Sequence, residues 1–185
     1  NYFKGFKWNV AFPEGLVSTS NPDEMIVPDN WLKFDHNNRV FNRLAADYPA
    51  QLAQRNGNPM MKWEDVRTTL KDIHTEKLHW VKVPLNHIVI DFDLKDESGN
   101  KNLDLNIQAA SKFPPTYAEV SKSGQGIHLH YIYDGNVNEL DNLVDEHIEI
   151  KVYKGNASLR RIDKASNNLQ PSHISSGLPL KERKA

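Results

Sequence analysis

The feature that most constrains the fold is a two-residue alternation of apolar and polar side chains in the second half of the chain. Because successive side chains of a β-strand point to opposite faces, this alternation predicts strands with one apolar and one polar face. The segments concerned are residues 87–93, 127–133 and 147–153. The polar-face residues that they predict are His87, Asp91, Asp93, His128, His130, His147, Glu149, Lys151 and Tyr153. A sheet containing these strands would carry acids, imidazoles and a lysine on a single face.

The remaining elements follow from shorter patterns. Three further segments read as strands, namely residues 80–83, 117–121 and 158–162. Gly155 and Asn156 predict a hairpin turn between the last of these and residues 147–153. Apolar residues at helical spacing predict helices over residues 38–48, 58–73 and 102–112. This order of elements favours an α+β fold with a mixed or antiparallel sheet, helices packed on one face and an N-terminal α/β extension.

Chain length and composition limit the functional classes. The 185 residues suit one domain, in which we expect an N-terminal part (1–75), a central part (80–165) and a tail (166–185) that links to a further region. The sequence contains no cysteine, which excludes disulfides, zinc ribbons and thiol catalysis. No apolar run approaches the ~20 residues that span a bilayer, and the chain starts without a signal-peptide pattern. We therefore expect a cytoplasmic protein without membrane contact.

Asp91 and Asp93 are the strongest candidates for a functional site. Two like charges side by side repel each other, and a divalent cation between them removes that cost. With a third carboxylate such as Glu149 from another strand, these oxygen donors suit Mg²⁺ or Mn²⁺ bound together with phosphate groups. Two such ions would activate a 3′-hydroxyl and stabilise a leaving pyrophosphate. The alternative for the two aspartates alone is a pair of solvated acids at a strand end.

A second candidate region is the turn before the strand at residues 127–133. It contains glycines, hydroxyls and a lysine, a composition that brings backbone N–H groups close to phosphate oxygens. The residues of this predicted triphosphate site are Lys122, Ser123, Gly124, Gly126 and, on the strand, His128. The alternative for His128 and His130 is an ordinary polar strand face or a satisfied histidine.

Basic residues are concentrated locally. The formal net charge is −1, so any nucleic-acid contact must come from local patches such as residues 151–164. The alternative for this cluster is a solvated surface, and for Glu149 and Lys151 it is a surface ion pair of little energetic value.

Three short segments, in this order and spacing, resemble the motifs of the archaeo-eukaryotic primase superfamily, in particular the primase-polymerase domains of phage and plasmid replication proteins. They are Asp91-Phe92-Asp93, Ser123-Gly124-Gln125-Gly126-Ile127-His128 and Ile148-Glu149-Ile150. The tail at residues 174–180 also resembles the end of such phage domains. The resemblance covers about residues 80–165 and says little about residues 1–75.

The resemblance implies a sheet of modified RNA-recognition type and a metal-dependent nucleotidyltransferase. Such a DNA primase or polymerase makes or extends primers on a single-stranded DNA template during phage or plasmid replication. By resemblance, Asp91, Asp93 and Glu149 are metal ligands for two Mg²⁺ or Mn²⁺ ions, and His128 contacts the phosphates of a nucleoside triphosphate. A replicative helicase domain downstream is a further implied partner.

Other residues carry weaker implications. By resemblance, Lys122, Ser123, Lys151 and Arg160 are candidates for nucleotide or template contacts. His130, at a position where the family often has an aromatic residue, is a secondary candidate for nucleotide binding. Many primases bind their template through a cysteine-based zinc module, which this sequence lacks. Nucleotide addition is therefore a firmer expectation than primer initiation.

Two other functional classes stay open. His128-Leu129-His130 also fits the metal motif of a rolling-circle replication or relaxase nuclease, for which Tyr153 is a candidate nucleophile. That class explains the three acids less well. The third class is a non-catalytic nucleic-acid-binding module whose acids are structural. Tyr131 and Tyr133 could stack on bases in such a module, but their alternation places them in the core.

Overall fold

The structure is a computed structural model that describes residues 30–35, 37 and 39–182. Residues 1–29 of the N-terminal part expected over 1–75 lie outside this range. The helices are α1 (Arg39–Leu44) and α2 (Leu103–Ala110). The strands are β1 (Ala50–Leu52), β2 (His79–Val81), β3 (His87–Phe92), β4 (Tyr117–Val120), β5 (Ile127–Tyr133), β6 (Leu143–Asp145), β7 (Ile148–Lys151), β8 (Leu159–Arg161) and β9 (Ser172–Ile174). Among these described residues no helix is long and apolar enough to cross a membrane.

The described strands form two sheets. In the larger one β3 is central, with the strand order β4-β5-β3-β7-β6, and β9 pairs with β5 beyond the end of β4. Each pairing in this sheet is antiparallel except that of β5 with β9. The second sheet is antiparallel, with the order β1-β2-β8. The α+β class and the mostly antiparallel pairing expected from the sequence are confirmed.

The apolar face of the larger sheet packs as its alternation predicts. Ile88, Ile90 and Phe92 of β3 are fully buried, and they share one core with the apolar residues of β5 and β7. Ala109 and Ala110 of α2 cover this core. Each large aliphatic side chain buried in this way contributes about 1.5–3 kcal/mol, so this face dominates the stability of the sheet.

The helix predictions were only partly correct. The helix predicted over residues 38–48 is limited to α1, and α2 occupies most of residues 102–112. The helix predicted over 58–73 is wrong, since only 3₁₀ turns form there, at Trp63–Asp65 and Leu70–Asp72. Between these turns Thr68 is bound to β1, because its carbonyl accepts from Ala50 N at 3.1 Å and its hydroxyl donates to Ala50 O at 2.6 Å. These hydrogen bonds hold the backbone in an extended conformation, which excludes a helix at this position.

The hairpin predicted around Gly155 and Asn156 is also wrong. β7 pairs with β3 and β6, whereas β8 pairs with β2 in the other sheet. The chain therefore crosses from one sheet to the other between β7 and β8. Ile148 and Ile150 of β7 belong to the first core and Leu159 of β8 to a second core, so each strand follows its own apolar partners.

This second core covers half of the predicted polar face. Val89 and Tyr117 of the larger sheet pack there against Val81, Leu159 and, from α1, Phe41. The two helices therefore lie on opposite faces of the larger sheet, and the expectation that they pack on one face is wrong. The polar face predicted from alternation is open only at the end of β3 that carries Asp91.

Charged groups are buried where the two sheets meet. Arg161 of β8 donates to both carboxylate oxygens of Glu119 of β4, from Nη2 at 3.0 Å and from Nε at 3.2 Å. His130 Nε2 lies 3.3 Å from the same carboxylate, and His130 Nδ1 lies 2.8 Å from His87 Nε2. Burial raises the pKa of Glu119, but Arg161 and His130 outweigh it and hold that pKa well below its usual range. Glu119 is therefore a buried carboxylate that joins the two sheets.

We expect Glu119→Gln to lower the free energy of unfolding by about 3–5 kcal/mol, because it leaves the Arg161 charge buried without its counter-charge. Urea denaturation at neutral pH measures this loss. Glu97→Gln, at an exposed position, is the matched control and should change stability by less than about 0.5 kcal/mol. Equal stability of the two variants would show that the buried pair does not hold the sheets together.

Candidate nucleotide and metal site

A groove of about 1160 Å³ opens at the uncovered end of the polar face, bordered by β8 and the connection from β7. The predicted site residues that line it are Asp91, Asp93, Lys122, Ser123, His128, Glu149, Lys151 and Arg160. Residues from all three sequence motifs are thus brought to one concave surface. Gly124, Gly126 and His130 do not line it.

Asp91 lies at the centre of the site. In the strand register its Cα is paired with that of His128 on β5 and with that of Glu149 on β7. The three side chains therefore form one row across neighbouring strands. Because the register is fixed by the apolar residues on the opposite face, the row cannot shift without exposing the first core.

Two cations surround the Asp91 carboxylate. His128 Nε2 lies 3.3 Å from Oδ1 and Lys151 Nζ lies 3.2 Å from Oδ2. Burial raises the pKa of Asp91, but these two neighbours outweigh it and the pKa is lowered. Burial likewise lowers the pKa of His128, yet Asp91 outweighs burial and the pKa is raised. The pair is thus biased towards a carboxylate next to an imidazolium.

The Oδ1 atom of Asp91 is nevertheless incompletely satisfied. It is buried and has no hydrogen-bond partner in the described structure, because the His128 contact does not have hydrogen-bond geometry. A buried oxygen without a well-formed hydrogen bond is costly, and the 3.3 Å contact with His128 Nε2 offsets that cost only in part, so Oδ1 keeps an acceptor position for a further donor or cation.

Asp93 follows the last residue of β3 and is half-buried. Its backbone N–H donates to His147 O at 2.9 Å, and its Oδ1 lies 3.2 Å from Lys101 Nζ. Lys101 was not predicted as a site residue. It is placed by an isolated bridge to Lys95 that closes the intervening loop, and the Gly99 turn between them was the only available signal in the sequence.

Glu149 is exposed in the groove. The ion pair with Lys151 that was one alternative is not observed, since Lys151 contacts Asp91. Within residues 30–35, 37 and 39–182, no three acids or histidines are already close enough to form a metal-binding group. Glu149 therefore shares a strand register with Asp91 but does not yet converge on it.

The glycine turn before His128 is held against the end of β3. Ser121 Oγ accepts a hydrogen bond from Gly126 N at 3.0 Å. The buried side chain of Asn106 on α2 binds both segments, since its Oδ1 accepts from Leu94 N at 2.7 Å and its Nδ2 donates to Gln125 O at 2.8 Å. Asn106 was missed because it lies beside an apolar stripe. It fixes the turn relative to Asp93.

Two other predicted residues lie in the interior. His130 is fully buried between Glu119 and His87, where burial is the largest cause of its lowered pKa. Tyr153 is also buried, in the second core, and burial raises its pKa. His130 therefore does not reach the groove, whereas Tyr153 lines its wall with only 7% of its surface exposed.

Searches found no matching family model, no similar curated protein and no similar solved structure. Any functional assignment therefore has to be argued from the site itself.

We expect Gly126→Ala to displace Asp93. An added Cβ would lie 2.8 Å from Ser121 Oγ and 3.1 Å from both Asp93 Oδ1 and Phe92 O, which is closer than atoms of this kind pack. The amide resonances of residues 92–94 in a two-dimensional NMR spectrum would report the shift. Gly124→Ala is the control, because an added Cβ there meets nothing within 4 Å although its φ of 80° is unfavourable. Unchanged resonances in Gly126→Ala would mean that the glycine is not required for close approach.

Proposed function

We propose that this protein is a metal-dependent nucleotidyltransferase that makes or extends primers on single-stranded DNA. The observation that carries the proposal is the row of His128, Asp91 and Glu149 across three strands, with Asp93 at its edge, at the floor of an open groove. Acids, an imidazolium and lysines in one groove suit the binding of a polyphosphate together with a divalent ion.

The strand arrangement supports the same proposal. An RNA-recognition-type sheet follows the order strand, helix, strand, strand, helix, strand, with the first and third strands in the centre. β3, α2, β4, β5 and β7 share the spatial order β4-β5-β3-β7, with β3 and β5 in the centre, but a 3₁₀ turn (Val137–Glu139) and β6 stand between β5 and β7 in place of the second helix. The motif resemblance and this topology are independent of each other.

The donor set suits Mg²⁺ or Mn²⁺. Asp91, Asp93 and Glu149 supply hard carboxylate oxygens, and the buried Oδ1 of Asp91 has an unused lone pair. When bound, such ions would supply Lewis-acid activation of a hydroxyl and charge neutralisation of phosphates. Asp91, Asp93 and Glu149 are the residues that would hold them.

The chain's own cations are placed to act on the phosphates. Asp91 raises the pKa of His128, which favours an imidazolium that can donate to a phosphoryl oxygen. Lys101 and Lys151 can exchange their ion pairs with Asp93 and Asp91 for ion pairs with a triphosphate. The hydroxyl of Ser123, at the edge of the groove, can donate a hydrogen bond to it. These contacts would orient the nucleotide and stabilise charge on the departing pyrophosphate.

The groove is large enough for two ligands. A site for a single small molecule usually measures about 300–1,000 Å³, and this groove exceeds that range at about 1160 Å³. It therefore has room for a nucleotide beside a strand. Replication in a host cytoplasm, with a helicase domain as partner, belongs to this proposal through the motif resemblance alone.

The two rival classes fit less well. A rolling-circle or relaxase nuclease needs His130 as a metal ligand and an accessible tyrosine. His130 is fully buried, and Tyr153, although it lines the groove, is only 7% exposed. A non-catalytic binding module would bind nucleic acid in the same groove but would make no product, and its binding would not depend on the acids. Mutation of the acids separates it from the proposed enzyme.

We expect Asp91→Asn combined with Asp93→Asn to reduce nucleotide incorporation at least about a hundredfold, because the metal-binding charges are lost. The assay is primer synthesis and extension on single-stranded DNA, with ribo- and deoxyribonucleotides and with Mg²⁺ and Mn²⁺ in turn. Asp104→Asn, exposed on α2 and outside the groove, is the control. Full metal-dependent synthesis by the double variant would contradict the mechanism. A wild-type protein without product under every condition would favour the binding module.

We expect Lys101→Ala to tighten Mn²⁺ binding by about two- to fivefold, because an exposed ion pair that competes with the metal is worth at most about 1 kcal/mol. The same change should weaken binding of a triphosphate in the presence of Mn²⁺. Free Mn²⁺ is measured by electron paramagnetic resonance. Lys95→Ala removes the same charge from the same loop without a contact to Asp93 and is the matched control. Identical affinities in the two variants would rule out a competing role for Lys101.

A further inference from the structure

Trp80 and Arg160 lie side by side on one wall of the groove. Their Cα atoms are partners in the register of β2 with β8, and both side chains line the groove that contains Asp91. Trp80 is half-buried and Arg160 is exposed. An indole and a guanidinium are thus presented together beside the acidic site, without a role in it.

The turn at Gly57 fixes both side chains in place. Trp80 Nε1 donates to Gly57 O at 3.0 Å. A Cβ on Gly57 would lie 3.3 Å from Arg160 Nη2, so the guanidinium packs directly against this glycine, whose φ is 90°. Gly57 N donates to Gln54 O at 2.8 Å, which closes the turn. Because both side chains are ordered before any ligand arrives, binding here costs less conformational entropy.

The charges of the groove favour a polyanion on this wall. Three of its cations are already paired with acids, Lys101 with Asp93, Lys151 with Asp91 and Arg161 with Glu119. The cations of the groove that have no acid partner in the described part of the chain are Lys122, Lys154, Arg160 and Lys181. Two acids of the groove, Asp141 and Glu149, likewise have no cation partner among the described residues, so the unpaired cations outnumber the unpaired acids by four to two. The whole chain has a formal net charge of −1, so this smaller surplus of positive charge is local.

We propose that single-stranded nucleic acid binds along this wall, with a base stacked on the Trp80 indole and the backbone phosphates on Arg160 and Lys154. Proteins that bind single-stranded nucleic acid without sequence preference combine a basic groove with aromatic side chains that stack on bases. A single strand exposes base faces to such an indole, whereas a duplex presents only base edges and phosphates. The inference deepens the proposed function, because it places the template next to the row of His128, Asp91 and Glu149.

The test is binding of fluorescein-labelled oligo(dT) and oligo(U) to the full chain, followed by anisotropy over a range of salt concentrations without metal or nucleotide. We expect Arg160→Gln to weaken binding and to reduce the slope of log affinity against log salt by about 0.7. Arg55→Gln, exposed in the adjacent turn and outside the groove, should behave like the wild type. Tighter binding of one oligonucleotide assigns DNA or RNA as the ligand.

Trp80 is tested by two variants. Trp80→Leu should weaken binding at least about fivefold with the salt slope unchanged, because stacking is lost and no charge is. Trp80→Phe keeps an aromatic face and should retain most of the affinity, although it loses the bond to Gly57. It also controls for misfolding of the leucine variant. Strand binding should quench tryptophan fluorescence in the wild type and less so in Trp80→Phe.

Several outcomes would overturn the inference: no strand binding by the wild type, equal affinities of Arg160→Gln and Arg55→Gln, or duplex competing as well as single strand. Asp91→Asn with Asp93→Asn removes neither the indole nor a cation of the wall, so it should not weaken strand binding although it abolishes nucleotide incorporation. This keeps the inference distinguishable from the proposed function. Strand binding that depends on Trp80 and Arg160 without nucleotide incorporation would support the inference and remove the proposed enzyme.

Discussion

The buried pair of Glu119 and Arg161 is the interaction on which the arrangement of the two sheets depends. Its partners come from different sheets and both side chains are at most 3% exposed. Removing two such charges from water is expensive, and the loss is offset only because the guanidinium donates two hydrogen bonds to the carboxylate. His79 and His130 add further contacts on either side of the pair. The geometry of the pair therefore sets how the second sheet lies on the first.

The contact between the two sheets buries one end of the polar face of β3 and leaves the other end open to the groove. Along β3, His87 and Val89 lie beneath the second sheet, while Asp91 and Asp93, on the same face, reach the groove. The division falls between positions only two residues apart. Had the second sheet extended one pair further, Asp91 would have lost its access to solvent. A groove floor made of strand residues is also rigid, which suits a site that must hold charges in a fixed geometry.

Alternation along single strands predicted much of the site but not its surroundings. It placed Asp91, His128 and Glu149 on one face because side-chain direction in a strand depends only on local sequence. It could not show that His130 is covered, since the ring that packs on it belongs to Phe41 of α1, with its centroid 5.1 Å away, and lies about ninety positions earlier in the chain. The Gly155-Asn156 hairpin signal failed for the same reason. Local turn preference was overridden by the separate cores to which β7 and β8 belong.

The residues that the sequence did not reveal are those placed by single long-range contacts. Lys101 reaches Asp93 only because its loop closes on Lys95, and Asn106 connects two segments through hydrogen bonds that no periodicity encodes. From the sequence alone Trp80 resembles a core residue, and only the pairing of β2 with β8 shows that Arg160 lies beside it. Patterns of two or 3.6 residues report which face is apolar, whereas these contacts depend on which segments meet.

The lysines on the aspartates have a consequence for how ligands would bind together. Lys101 and Lys151 neutralise the acids in the described state, so a divalent ion has to displace them. A displaced lysine beside a bound triphosphate gains a new anionic partner, which a metal ion alone would not provide. Binding of ion and triphosphate would then be mutually favourable, and by linkage each would raise the affinity of the other by the same factor. If the proposed function holds, such a site would be poorly occupied by metal without nucleotide, and the two lysines would shield its acids from each other's repulsion until both ligands bind.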